Sequence, residues 1–248
     1  MTFPLYVNIG IASLHPHVVF DILAYVAGLW LLIHRRRTSG DVVDGRTRRI
    51  LSAAALIGGV VGSHVLFAFE DPATLPVMAA DPVQVLQGKT IIGGLLGGLL
   101  AVEFVKARRG ITTSTGDLLV LPLAVGIAIG RIGCFLTGLD DGTSGTATAL
   151  PWGVDFGDGI SRHPTQLYEI AFLAVLLLVV LRVASHTHRT GDGFKLFLLG
   201  YLSFRVLVDF IKPATRVAGL SVLQWICLAA IAYYAPHVPR LLTEVRRG

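Results

Sequence analysis

Residues 117–136 read DLLVLPLAVGIAIGRIGCFL, with one acid at the start, one arginine near the end and apolar or small residues between. A bilayer asks for about 20 mostly apolar residues in a helix, because a rise of about 1.5 Å per residue must cover about 30 Å of hydrocarbon. Stretches of the same character lie on both sides of this one. Together they predict seven spans, at 17–34, 50–69, 91–107, 117–136, 165–184, 194–212 and 219–235. The third is short and carries Glu103. Composition points the same way. The 248 residues are 53% hydrophobic and 15% charged, with mean hydropathy +0.69, whereas soluble chains carry roughly 25% charge. A soluble enzyme and a disordered chain are excluded. Cys134 and Cys227 both lie in apolar runs, so no disulfide framework is expected. The runs are long and unbroken rather than alternating, which excludes a transmembrane barrel. The expected fold is an all-α integral membrane protein, one polytopic domain over residues 1–248.

Loop charge orients the spans. Arg35, Arg36, Arg37, Arg46, Arg48 and Arg49 follow the first span. Lys106, Arg108 and Arg109 follow the third, Arg182, Arg189 and Lys195 the fifth, and Arg240, Arg246 and Arg247 the last. The opposite loops hold only Lys89, Arg162, Lys212 and Arg216. The expected topology therefore has the N-terminus outside and the C-terminus inside. The net charge of +5 reports this topology, and no nucleic acid is expected as a partner. The longest outer loop, 138–163, contains DDGTSGT and PWGVDFGDG, which is turn chemistry. Its acids are expected to be solvated.

Ionisable groups inside a span are costly and point to function. Arg131 and Arg205 both fall roughly 10 Å below the outer edge at about 1.5 Å per residue. Tyr201, Arg205 and Asp209 recur at four-residue spacing and share a helix face. Arg131 shares a face with Cys134, flanked by Gly126, Gly130 and Gly133, small residues that allow close approach. The fifth span opens with RHPTQLYE, bringing His163, Gln166, Tyr168 and Glu169 to the same layer. The first brings His15, His17 and Asp21; the third brings Gly93 and Gly94 in GKTIIGGLLGG. Polar groups thus converge at one leaflet depth, as a pocket for an amphiphile would require. A plainer reading is also open: Asp209, one turn away, could neutralise Arg205, and Arg131 could reach outward to lipid phosphates. His64 reads as an interhelical hydrogen-bonding residue, and Cys134 as a small packing residue. The spacing of His, Cys and acids shows no metal-ligand pattern, so no metal or organic cofactor is expected.

GRIGCFLTG, the downstream HPTQLYE, the earlier GKTIIGGLLGG and the late GYLSFRVLVDFIKP stand in the order and spacing of the prolipoprotein diacylglyceryl transferases. The chain resembles that family from HPHVVFDILAYVAG to the last span. The resemblance implies a multi-pass protein of the bacterial inner membrane with its site toward the outer leaflet. Its partners would be phosphatidylglycerol, prolipoprotein signal peptides bearing a lipobox cysteine, and the bilayer. It would transfer diacylglyceryl to the cysteine thiol and release glycerol phosphate. Arg131 and Arg205 match the family's two essential arginines, and a guanidinium can grip phosphate through two parallel hydrogen bonds. They are the candidate catalytic residues, with His163. Gly93, Gly94, Gly130, Gly133, Cys134 and Gln166 are candidate substrate contacts. So are Tyr168, Glu169, Tyr201, Asp209, Asp21 and His17.

Several positions depart from the family pattern. The asparagine usual in GRIGNF is Cys134, the glutamate that follows falls at Leu139, and a histidine proposed as base is Ile92. Asp21 stands where a tyrosine is frequent. His163 or His17 could then take the proton. Two other readings stay open: a related phospholipid-using transferase with another acceptor, and a lipid-binding membrane protein without chemistry.

Overall fold

The computed structural model describes residues 3–9, 12–70, 88–184 and 189–247. In chain order, a short hairpin of β1 (Val7–Ile9) and β2 (Ala12–Leu14) leads into α1 (Pro16–Ser39). Then come α2 (Gly45–Glu70), α3 (Ile91–Arg108) and α4 (Val120–Thr137). A second hairpin, β3 (Val154–Asp155) with β4 (Ser161–Arg162), precedes α5 (Thr165–Ala184) and α6 (Asp192–Val208). A third, β5 (Arg216–Val217) with β6 (Leu220–Ser221), precedes α7 (Val222–Tyr234) and α8 (Val238–Arg247). The chain is mostly helical; the β3–β4 hairpin falls in the loop where turn chemistry was expected, while β6 takes the first residues of the stretch expected as the seventh span.

Among the described residues, four helical segments are long and apolar enough to cross a membrane: Pro16–Ser39, Gly45–Glu70, Asp117–Asp141 and Thr165–Val183. The other three expected spans also form helices. However, α3 holds Glu103, Lys106 and Arg108 within its 18 residues, α6 has 17, and α7 has 13. The charges of α3 answer each other, since Lys106 Nζ donates to Glu103 Oε1 at 2.8 Å. A 3-10 turn, Asp209–Ile211, extends α6 at its C-terminal end.

One compact unit comprises residues 1–40, 116–213 and 234–248. Here α1 packs on α4, α4 on α5, and α5 on α6. Helix α1 starts where Pro16 fits the first turn and His15 accepts from the His17 amide, and it ends at Gly40 with φ +76°. Val18, Ile22, Tyr25, Val26, Leu29, Trp30 and Ile33 on α1 are all exposed. An apolar stripe of that length left uncovered is what lipid would face. On the inner side, a Cβ at Gly133 would come within 2.6 Å of the Phe20 Cβ, so the glycine sets how closely α1 meets α4. Asp117 fixes the start of α6 by accepting from the amides of Gly191 and, at 2.9 Å, Phe194.

The second unit comprises residues 41–115 and 214–233. Helices α2 and α3 make close contact along glycines. A Cβ at Gly93 would lie 2.3 Å from the Gly62 carbonyl oxygen, and one at Gly97 would lie 2.4 Å from that of Gly58. Backbone contact of this kind strengthens helix association where lipid removes the hydrophobic driving force. Thr90 caps α3 by accepting from the Gly93 amide at 3.1 Å, and Asp44 caps α2 by accepting from the Arg46 amide at 2.8 Å. His64 is satisfied by the Gly88 carbonyl at 2.6 Å, which lies just before α3. Arg48 is buried and held by Asp41 at 2.6 Å.

Candidate active site

Helices α4, α5 and α6 each bring one ionised side chain to the same place. Arg131, Glu169 and Arg205 are 5%, 2% and 6% exposed. Arg131 Nε lies 3.0 Å from Glu169 Oε2, and Arg205 Nη1 donates to the same oxygen at 3.1 Å. The Tyr201 hydroxyl donates to Glu169 Oε1 at 2.6 Å. Tyr201 and Arg205 reach one carboxylate together because four residues separate them on α6. Glu169 can do so because it sits in the second turn of α5, which packs on both neighbours.

Isolated buried charges are strongly disfavoured, so each arginine needs an acid. One carboxylate serves both, and the hydrogen bonding is incomplete. The Nε–H groups of Arg131 and Arg205 are buried with no hydrogen-bond partner, the Arg131 contact to Glu169 being an ion pair without hydrogen-bond alignment. Gln166 is also buried; its Nε2 donates to Thr143 Oγ1 at 3.1 Å, while its Oε1 has no hydrogen-bond partner. Orphaned buried polar atoms of this number call for an explanation. An anionic headgroup would answer the guanidinium groups. Beside the Asp209 expected for Arg205, Glu169 from another helix holds both guanidiniums. Asp209 is buried where α6 turns into its 3-10 extension.

A second cluster adjoins Arg131 through Cys134, whose Sγ lies 3.8 Å from Arg131 Nη1. His17 Nε2 is 2.7 Å from Asp141 Oδ1, and His17 Nδ1 is 3.2 Å from Asp21 Oδ2. Asp141, expected to be a solvated loop acid, is instead buried at the side chain, and its other oxygen accepts from Thr143. Helix α4 continues into a 3-10 turn, Gly138–Asp141, which swings the carboxylate back over the start of α1. No local pattern announces this. Asp140, its neighbour, is exposed as expected.

His163 is placed differently. Its backbone pairs with Thr146 and Gly145, and its Nδ1 lies 3.2 Å from the Tyr168 hydroxyl. Tyr168 in turn accepts from Trp152 Nε1 at 2.8 Å. These three rings join the 142–164 loop to the start of α5, while His17 is the histidine linked toward Arg131. In the same loop Arg162 holds the Asp158 carboxyl below its usual range. Gly130 faces open space and Gly133 serves the α1–α4 contact. In the second unit, Gly93 is accounted for by contact with α2, and a Cβ on Gly94 would make ordinary contacts with Gly59 and Ser63.

An apolar helical frame that buries two guanidiniums around one carboxylate marks a membrane protein with a charged cluster inside its helices. A sequence profile of prolipoprotein diacylglyceryl transferase matches residues 4–236. The chain belongs to that family. A Methylobacillus flagellatus protein is 32% identical over 247 residues, covering 92% of each chain. One from Nitratidesulfovibrio vulgaris is 30% identical, covering 92% of this chain and 88% of its own. One from Bordetella parapertussis is 29% identical, covering 92% and 91%. All three carry the name phosphatidylglycerol–prolipoprotein diacylglyceryl transferase.

Proposed function

We propose that this chain transfers the diacylglyceryl group of phosphatidylglycerol to the thiol of a prolipoprotein lipobox cysteine. The C–O bond to phosphate breaks, a thioether forms, and glycerol phosphate departs. The observation that carries this reading is the pair of buried guanidiniums sharing Glu169, each with a buried N–H left over. Arg131 and Arg205 bind the phosphate and stabilise the charge that grows on its leaving oxygen. In an apolar site such donors are worth far more than in water. Glu169 and Tyr201 hold the guanidiniums in place beforehand, so little reorganisation is needed. Gln166, Gly130 and Asp209 complete the polar wall around the headgroup.

The acceptor brings its own nucleophile, so the protein has only to receive a proton. Both ring nitrogens of His17 are engaged by carboxylates, so neither stands open to a thiol proton. His163 has one nitrogen engaged by Tyr168, leaving the other to accept the thiol proton. In this reading the chain is one polytopic domain crossing the inner membrane seven times, N-terminus out and C-terminus in. The basic loops set that orientation, and the site opens toward the outer leaflet.

A mass-spectrometric transfer assay tests the reaction, using purified protein, phosphatidylglycerol and a lipobox peptide. The expected result is a peptide heavier by one diacylglyceryl group, with glycerol phosphate released. Release of glycerol phosphate beside an unmodified peptide would identify another acceptor, a reading favoured by the changes at Ile92 and Cys134. Neither product from protein that still binds phosphatidylglycerol would leave a lipid-binding role.

A further inference from the structure

We propose that His17, Cys134 and Asp141 form a binding site for a soft divalent cation of the zinc class. One donor atom from each residue lies within 4.8 Å of the other two. They come from the first turn of α1, the last turn of α4 and the 3-10 turn beyond it. A thiolate, an imidazole and a carboxylate together suit zinc and leave a fourth tetrahedral position open. With metal–ligand bonds of about 2.0–2.3 Å, tetrahedral donors stand about 3.3–3.6 Å apart. The widest spacing, at most 4.8 Å, must therefore close by no more than about 1.5 Å, and the 2.7 Å contact between His17 and Asp141 must open slightly.

Two features outside the donor set favour the site, the Asp21 carboxylate and the tight contact between α1 and α4. Asp21, one turn along α1, meets His17 Nδ1 at 3.2 Å. An outer carboxylate there fixes the tautomer that turns the Nε2 lone pair toward a metal. Charge also balances: thiolate plus carboxylate cancel the dication, so no net charge is added beside the two arginines. The close contact of Gly133 with Phe20 fixes α4 against α1 and keeps the donors together. The sequence expectation of no metal rested on spacing, and these donors are brought together only by folding. Occupancy is read without lipid or peptide, so its test stands apart from that of the transfer reaction.

Cobalt(II) is the probe. Chelator-stripped protein in detergent is titrated with cobalt while the thiolate-to-cobalt charge-transfer band in the near ultraviolet is followed. One equivalent should develop the band, and zinc should displace it. Cys134→Ser should abolish the band, while Cys227→Ser, at the other cysteine, should retain it. Asp21→Asn should keep the stoichiometry but weaken affinity by about 10- to 100-fold. If Cys134→Ser does not fold, loss of the band in Asp141→Asn together with the Asp21→Asn shift carries the test. No band in the parent protein, a band that survives Cys134→Ser, or an affinity unchanged in Asp21→Asn would each overturn the proposal.

Discussion

Replacing Glu169 by glutamine keeps the side chain's shape and an oxygen for the Tyr201 hydroxyl, but removes the charge shared by two guanidiniums. The magnitude follows from the contacts. Arg131 and Arg205 approach the same carboxylate oxygen at 3.0 and 3.1 Å, in a place almost fully shielded from water. At an effective dielectric of about 20, unit charges about 4 Å apart interact by about 4 kcal/mol. Losing the acid forfeits two such attractions and leaves the guanidiniums repelling each other. Removing one partner of a buried pair costs about 3–5 kcal/mol, and the shared geometry places Glu169→Gln at the upper end or beyond. For a chain of this size about 1 kcal/mol corresponds to roughly 2–4 °C in melting temperature. The expected drop is therefore about 10 °C or more, read by thermal unfolding in detergent. Phosphatidylglycerol should restore part of the loss, because its phosphate supplies the missing anion. A variant melting within about 2 °C of the parent would refute the shared-carboxylate reasoning. So would a lipid that raises the melting temperature of parent and variant equally.

The arginines themselves are expected to be indispensable. Arg131→Ala and Arg205→Ala should each lower turnover by at least about 10²-fold, the size of a lost transition-state donor, and Arg205→Lys should recover little because an ammonium cannot make the forked contact. Full activity in the lysine variant of the transfer assay would leave only a requirement for charge. At the α2–α3 contact, Gly97→Val puts a side chain against the Gly58 carbonyl and Gly62 Cα, both backbone atoms that cannot swing aside. It should destabilise by about 1–3 kcal/mol, and an unchanged melt would contradict the close packing. Asp44 is a pH test. The Thr47 hydroxyl, then the Thr47 and Arg46 amides, hold its carboxyl below 3.8. A lowered folded value means that the cap contributes fully above the unfolded pKa and is lost as pH falls through the lower folded one. Its carboxyl carbon resonance should therefore titrate below 3.8, and a midpoint at or above that value would rule the cap out.

Hydropathy and local chemistry made the helices legible, because bilayer thickness and 3.6-residue periodicity act on contiguous residues. The expected span at 91–107 is the helix Ile91–Arg108, and the one at 165–184 is Thr165–Ala184. Tyr201 and Arg205 were legible as one face, since four residues of helix fix that relation whatever lies opposite. Arg131 and Arg205 stood out because ionisable groups in apolar runs need a reason to be there. Periodicity gives a side chain's face and depth, but not the helix that packs against it. Sequence proximity pointed Arg205 to Asp209, but it could not show that α5 supplies Glu169 to both arginines. Asp141 read as a loop acid because nothing in DDGTSGT records that a 3-10 turn returns it to His17. The sequence by itself determined the helices and the residues too polar to be idle. Which acid answers which cation, and which thiol, imidazole and carboxylate meet, was decided only by tertiary packing, because buried charges must find partners in space rather than along the chain.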